Sequence, residues 1–118
     1  PSEYQAFELT NFISSTPAIT VSTHNVSSPA TSHGITFNGQ DSNGAIIVAG
    51  RSYLGTNSVN QSATIRTDAQ SSGSSSFTVS KTGIPSGNVT YTVTNDNPVG
   101  SVGSTTNGLF VMVGAQWR

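Results

Sequence analysis

His24 and His33 are the side chains of this chain that could take up and release a proton near neutral pH. Its acids are Glu3, Glu8, Asp41, Asp68 and Asp96. Hydrolysis by a serine needs a base and an acid beside a hydroxyl raised on a sharp strand-to-helix turn. Gly50-Arg51-Ser52-Tyr53-Leu54-Gly55 comes nearest to such an elbow, but it misses the G-x-S-x-G spacing by one residue and opens no helix. Both histidines fall in or beside the polar stretch at residues 23–34, where solvated loop positions are expected. Paired-carboxylate chemistry needs two acids flanking one cleft; four of these five read as residues of turns or of an N-terminal arm. The chain has no cysteine, which excludes a thiol nucleophile, a Cys-based metal site and a disulfide framework. No glycine-rich phosphate cradle opens a helix. No catalytic residues are therefore expected, and the protein reads as a non-enzyme.

Two binding chemistries keep candidates. Asp41-Ser42-Asn43 and Asn95-Asp96-Asn97 cluster the hard oxygens that calcium prefers, so Asp41, Asn43, Asn95, Asp96 and Asn97 are the candidate metal ligands. Each cluster holds a single carboxylate, and Asx residues favour turns for local reasons, so no cofactor is the primary expectation and calcium the alternative. Sugar binding would need an exposed aromatic platform ringed by amide donors. Tyr53 and Trp117, at strand ends, are the candidates; Tyr91 points coreward by alternation. Asn25, Asn60 and Asn88 open glycosylation sequons, a number that chance alone supplies in a chain so rich in Asn, Ser and Thr.

The elements that would hold these residues are strands. Three Leu stand against seven Ile and eleven Val, with sixteen Thr besides. β-Branched side chains lose rotamer freedom in helices and pack well on pleated surfaces. Charged residues make up 8% of the chain, against about 25% in ordinary domains. The four basic residues are scattered, so neither a nucleic-acid stripe nor an anionic-lipid patch exists. No apolar run is long enough to span a membrane as a helix. The chain opens at Pro1 on a polar segment, as a chain trimmed of its leader or initiator methionine would. Its weakly charged, hydroxyl-rich surface is of the kind found outside cells, on cell surfaces and on virus particles.

The clearest signal is residues 75–96. Phe77 and Val79 alternate with Thr78 and Ser80, and Val89, Tyr91 and Val93 with Thr90, Thr92 and Thr94, which predicts two half-buried strands. The glycine- and proline-bearing residues 82–88 lie between them as a turn. Strands are also predicted at residues 18–26, 34–38, 45–53, 58–66 and 109–117. Residues 45–53 and 109–113 are apolar on both faces, so both should be strands covered on both sides. Residues 27–34, 68–76 and 100–108 read as loops. Residues 1–14 form an extended or partly helical arm, whose Tyr4, Phe7, Leu9, Phe12 and Ile13 need an apolar surface to lie on. The expected architecture is an N-terminal arm followed, over residues 15–118, by a single all-β antiparallel sandwich of seven to eight short strands, immunoglobulin-like or jelly-roll.

From residue 45 to 113 the chain resembles bacterial immunoglobulin-like and fibronectin-III-like modules of surface adhesins and phage virion proteins. The resemblance rests on Ser72-Gly73, Phe77-Thr78-Val79, Pro85-Ser86-Gly87, Tyr91 and Asn95-Asp96-Asn97. The paired cysteines and core tryptophan of antibody domains are absent, and residues 1–44 depart from the pattern. The resemblance implies a structural or attachment role. With it stand two expected functions. One is a virion decoration or fibre module, or a surface-filament subunit, acting by self-assembly into homo-oligomers or with other structural subunits. The other is a small carbohydrate-binding lectin, with calcium as its optional ligand. No nucleic acid and no membrane insertion are expected.

Overall fold

Alternation at residues 75–96 is realised as two strands on opposite sides of one core. The computed structural model describes residues 6–24, 32–53, 55–71, 74–96 and 110–118. Its strands are β1 (Ile19–His24), β2 (Ser32–Gln40), β3 (Ala45–Tyr53), β4 (Asn57–Val59), β5 (Thr64–Ser71), β6 (Ser74–Thr82), β7 (Gly87–Asn95) and β8 (Val111–Trp117). A five-stranded sheet, ordered β1-β8-β3-β6-β5, faces a three-stranded sheet, ordered β2-β7-β4, and every pairing is antiparallel. The protein is an all-β sandwich with no helix among the described residues. β6 and β7 belong to different sheets, so the turn at residues 82–88 carries the chain across the sandwich instead of folding it into a hairpin.

Phe77 and Val79 of β6, Ile46 and Val48 of β3 and Met112 of β8 are buried from one side; Ile35 and Phe37 of β2 and Tyr91 and Val93 of β7 are buried from the other. Phe37 and Tyr91 meet edge to face, with ring centroids 5.8 Å apart. Ile84, in the crossing turn, plugs one end of the sandwich at 2% exposure, and its carbonyl accepts the Asn43 N–H at 3.1 Å.

Several sequence expectations are corrected. The alternating residues 58–66 are not one strand: β4 ends at Val59, and Gln61 (φ 58°) and Ser62 (φ 52°) turn through the left-handed region before β5 begins. The Ala63 N–H donates to the Asn60 carbonyl (3.1 Å) to close that turn. The serine-rich residues 68–76 are mostly strand, as the ends of β5 and β6, paired from Thr64↔Ser80 to Ser71↔Ser74. β2 begins at Ser32, so His33 sits in a strand and not in a loop, and His24 closes β1. β3 and β8 are inner strands, but neither is sealed on both faces. Ala49 is exposed, and Val111 and Val113 on β8 are 46% and 58% exposed while Phe110 and Met112 are buried. The described part of the arm, residues 6–14, is irregular, as are residues 15–18 that lead into β1. Ile13 N–H donates to the Arg118 carbonyl and Ala18 N–H to the Gln116 carbonyl, both at 2.7 Å.

One edge is closed by a side chain. Beyond β4 the Asn60 N–H donates to the Thr92 carbonyl at 3.3 Å. The Asn60 amide then continues the ladder along β7: Oδ1 accepts the Thr92 N–H at 2.8 Å and Nδ2 donates to the Thr90 carbonyl at 3.3 Å. An amide side chain carries one donor and one acceptor group like a peptide unit, so asparagine can stand in for the next residue of a strand.

Candidate functional site

The most organised polar group is buried between the sheets at the end where β3 and β7 finish. Asp68, on β5, points inward opposite Phe77. Its Oδ2 accepts the Asn57 N–H and its Oδ1 accepts Asn57 Nδ2–H, both at 2.7 Å, and Oδ1 also accepts the Ser75 hydroxyl at 2.6 Å. Asn57 Nδ2 reaches Ser75 Oγ as well, at 2.9 Å. Asn57 Oδ1 accepts the Ser52 hydroxyl (2.8 Å) and Asn95 Nδ2–H (3.1 Å), and Asn95 Nδ2 also contacts Ser52 Oγ at 3.3 Å. Ser52, Asn57, Ser75 and Asn95 are at most 6% exposed. Five side chains from β3, β4, β5, β6 and β7 thus tie both sheets together through a carboxylate that accepts three donors. With its oxygens occupied in this way, Asp68 holds structure; it faces no histidine in this network.

Sequence reasoning missed this cluster. Asp68 and Ser75 were expected in a loop and Asn95 in a calcium-binding one, whereas the amide of Asn95 is spent on Ser52 and Asn57. A usable signal existed: Ser52, Ser75 and Asn95 share the inward parity of Val48, Phe77 and Val93 on their own strands.

The two expected oxygen clusters lie at opposite ends of the sandwich, since Gln40 pairs with Gly87 while Ser32 pairs with Thr94. Asp41 bridges Arg118 at 3.1 Å, with both side chains about half exposed. Asn43 occupies the β2–β3 turn at φ 64°. Asp96 Oδ1 accepts the Thr56 N–H (2.7 Å) and its own N–H donates to the Thr56 carbonyl (3.0 Å). Asn97 lies outside the described residues, as does Tyr4. Among the described residues no three His, Asp or Glu come together as a metal site.

Of the aromatic candidates, Tyr53 ends β3 opposite Ser74, and its side chain lies outside the described part. Trp117 is half-buried at the end of β8, opposite Ala45. Phe7 and Leu9 are half-buried over Ala45, Ile47 and Lys81, across a cleft of about 330 Å³, while Phe12 and Ile13 are 40% and 83% exposed. His33 is partly buried, hydrogen-bonded through Nε2 to the Thr23 hydroxyl at 2.7 Å and stacked on Phe110 with centroids 6.1 Å apart. It ties β2 to β1, and Asp68 belongs to another cluster.

Among the described residues, three buried side-chain polar atoms lack a well-formed hydrogen bond: Gln40 Oε1, Tyr91 Oη and Gln116 Oε1. Burial pushes the Tyr91 hydroxyl above its usual pKa of 10.0, while the neighbouring Gln40 side chain pulls it down. Above pH 10 the unfolded chain therefore gives up a proton that the native state retains. The stability tied to this proton is whole below pH 10 and is lost as pH rises through the elevated value. Urea unfolding at rising alkaline pH should show this loss, and Tyr91→Phe should flatten it while leaving stability at pH 8 within about 1 kcal/mol, because the hydroxyl it removes is poorly satisfied.

No family model, no curated protein and no solved structure gives a significant match to this chain.

Proposed function

We propose that the protein is a non-catalytic structural or attachment module that works by self-assembly, as a virion decoration or fibre element or a surface-filament subunit. One observation carries this reading. The exposed large apolar side chains among the described residues are Phe12, Ile13, Val111 and Val113, and they fall on the arm and on the outward face of β8. Val111 and Val113 point outward from neighbouring positions of one strand, and exposed apolar residues grouped on one face support a contact surface. The strand order supports a jelly-roll reading of the sandwich, since β1-β8-β3-β6-β5 opposite β2-β7-β4 interleaves early and late strands as nested Greek keys do. The scarcity of charge supports a setting on a virion or cell surface, where hydroxyl groups supply the solubility.

Light scattering on the purified chain is expected to give a mass that is a multiple of the 12.1 kDa subunit, or one that climbs toward such a multiple with concentration. A fixed 12.1 kDa species at every concentration would overturn the proposal.

A further inference from the structure

Asn38 and Asn43 each precede a glycine, and the fold treats the two pairs differently. β2 bulges between Phe37, paired with Val89, and Gln40, paired with Gly87, so Asn38 and Gly39 together face the single residue Asn88. β2 is also an edge strand of its sheet. Asn38 and Gly39 are both exposed, Gly39 sits at φ 70°, and apart from its chain neighbours no atom lies within 4 Å of where its Cβ would be. The Gly39 N–H donates to Asn88 Oδ1 at 2.8 Å. Asn43 stands in the β2–β3 turn, its N–H donating to the Ile84 carbonyl. Gly44 behind it is buried, and a Cβ there would overlap the Trp117 carbonyl oxygen and lie 3.0 Å from Gln116 Nε2. A third such pair, Asn107-Gly108, lies outside the described residues.

We propose that Asn38 is a site of spontaneous deamidation in the folded protein, restrained by Asn88, and that the fold holds Asn43 unreactive. Hydroxide takes the proton of the Gly39 N–H, and the nitrogen attacks the Asn38 Cγ. The new N–Cγ bond closes a five-membered succinimide as the Cγ–Nδ2 bond breaks, and Nδ2 takes a proton from water and leaves as ammonia. Water then opens the ring at either carbonyl, which gives aspartate or isoaspartate. Ring closure needs the Asn–Gly peptide to rotate, and glycine obstructs the attack least because it carries no Cβ. At Gly39 the open space permits that rotation, and one exposed side-chain hydrogen bond opposes it. At Gly44 the backbone of β8 blocks it. Either product adds one negative charge to a chain whose formal net charge is −1. Isoaspartate also lengthens the backbone by a methylene, at a bulge that already departs from the ladder register. This chemistry stands apart from the self-assembly reading and survives its failure.

Site-resolved mass spectrometry tests this on the purified chain, held in mildly alkaline buffer well below its melting temperature and sampled over weeks. In the native chain Asn38 should gain the mass of the amide-to-acid exchange roughly tenfold faster than Asn43, a ratio that a small difference in barrier supplies. In the urea-unfolded chain, where neither glycine is confined, the two should convert at similar rates. Asn88→Ala should speed Asn38 roughly threefold to tenfold, the worth of one exposed hydrogen bond, and leave Asn43 as slow as before. Asn43 thus serves as the folding control, because a variant that merely unfolds more often speeds both sites. Asn43 keeping pace with Asn38 in the native chain, or Asn38 staying as slow as Asn43, overturns the site. A rate at Asn38 that Asn88→Ala leaves unchanged, or raises only in step with Asn43, overturns the restraint by Asn88.

Discussion

Replacing Asp68 by alanine is expected to lower the unfolding free energy by about 3–4 kcal/mol, and the melting temperature by roughly 10–15 °C for a domain of this size. The carboxylate accepts the Asn57 N–H, Asn57 Nδ2–H and the Ser75 hydroxyl. Asn57 and Ser75 are 6% and 0% exposed, so water reaches the abandoned donors poorly. Each buried donor left without a partner costs about 1–3 kcal/mol, and the three would exceed the expected total if none recovered. Asp68 itself is only half-buried, and partial entry of water on its side sets the lower figure. Asp68→Asn should cost less than alanine but not nothing. It keeps one acceptor and turns an N–H₂ group toward a donor. Urea denaturation of both variants decides the matter. A loss under about 1 kcal/mol for alanine would mean that the cluster is hydrated and contributes little.

Gly50→Ala is expected to cost about 3 kcal/mol, at the upper end of ordinary overpacking. A Cβ at this position would lie 2.5 Å from Phe77 Cζ and 2.7 Å from the Val111 carbonyl oxygen. The ring can move; the carbonyl belongs to β8 and cannot move without shifting a strand. Gly114→Ala provides the comparison, because its obstacles are the side-chain tips of Phe37 (2.7 Å), Val48 (3.0 Å) and Ile35 (3.3 Å). Side chains yield more cheaply than backbone, so Gly114→Ala should cost less, about 2 kcal/mol. Combining Gly50→Ala with Phe77→Leu should not restore stability, since the clash with the Val111 carbonyl persists. Thermal melts of the three variants check the ordering, and a Gly114 cost above the Gly50 cost would refute the backbone argument.

The parts of this fold legible in the sequence are those in which apolar side chains do the sorting. Phe77, Val79, Tyr91 and Val93 alternate with hydroxyls, and alternation by itself decides which way each faces. Where polar residues do the sorting, the pattern goes silent. Ser75 and Asn95 are buried as thoroughly as Val79, yet their type marks them for solvent, and only the partners on β3, β4 and β5 make their burial tolerable. Residues 58–66 misled for the opposite reason. Val59, Ala63 and Ile65 keep one parity through a turn that breaks the strand, and neither Gln61 nor Ser62 advertises a left-handed backbone. Residues 111–113 exposed a further gap. An apolar run says that both faces want cover, but not whether the cover comes from the same chain or from another molecule.

The side chain of Asn60 has a consequence for what kind of object many copies can build. β4 is three residues long, and without help it would leave the lower half of β7 as an open template for strands from other molecules. The Asn60 amide occupies the Thr92 N–H and the Thr90 carbonyl, so a foreign strand finds these two groups taken. Two groups of that rim are thereby withheld from strand addition, while Val111 and Val113 on the outward face of β8 stay exposed.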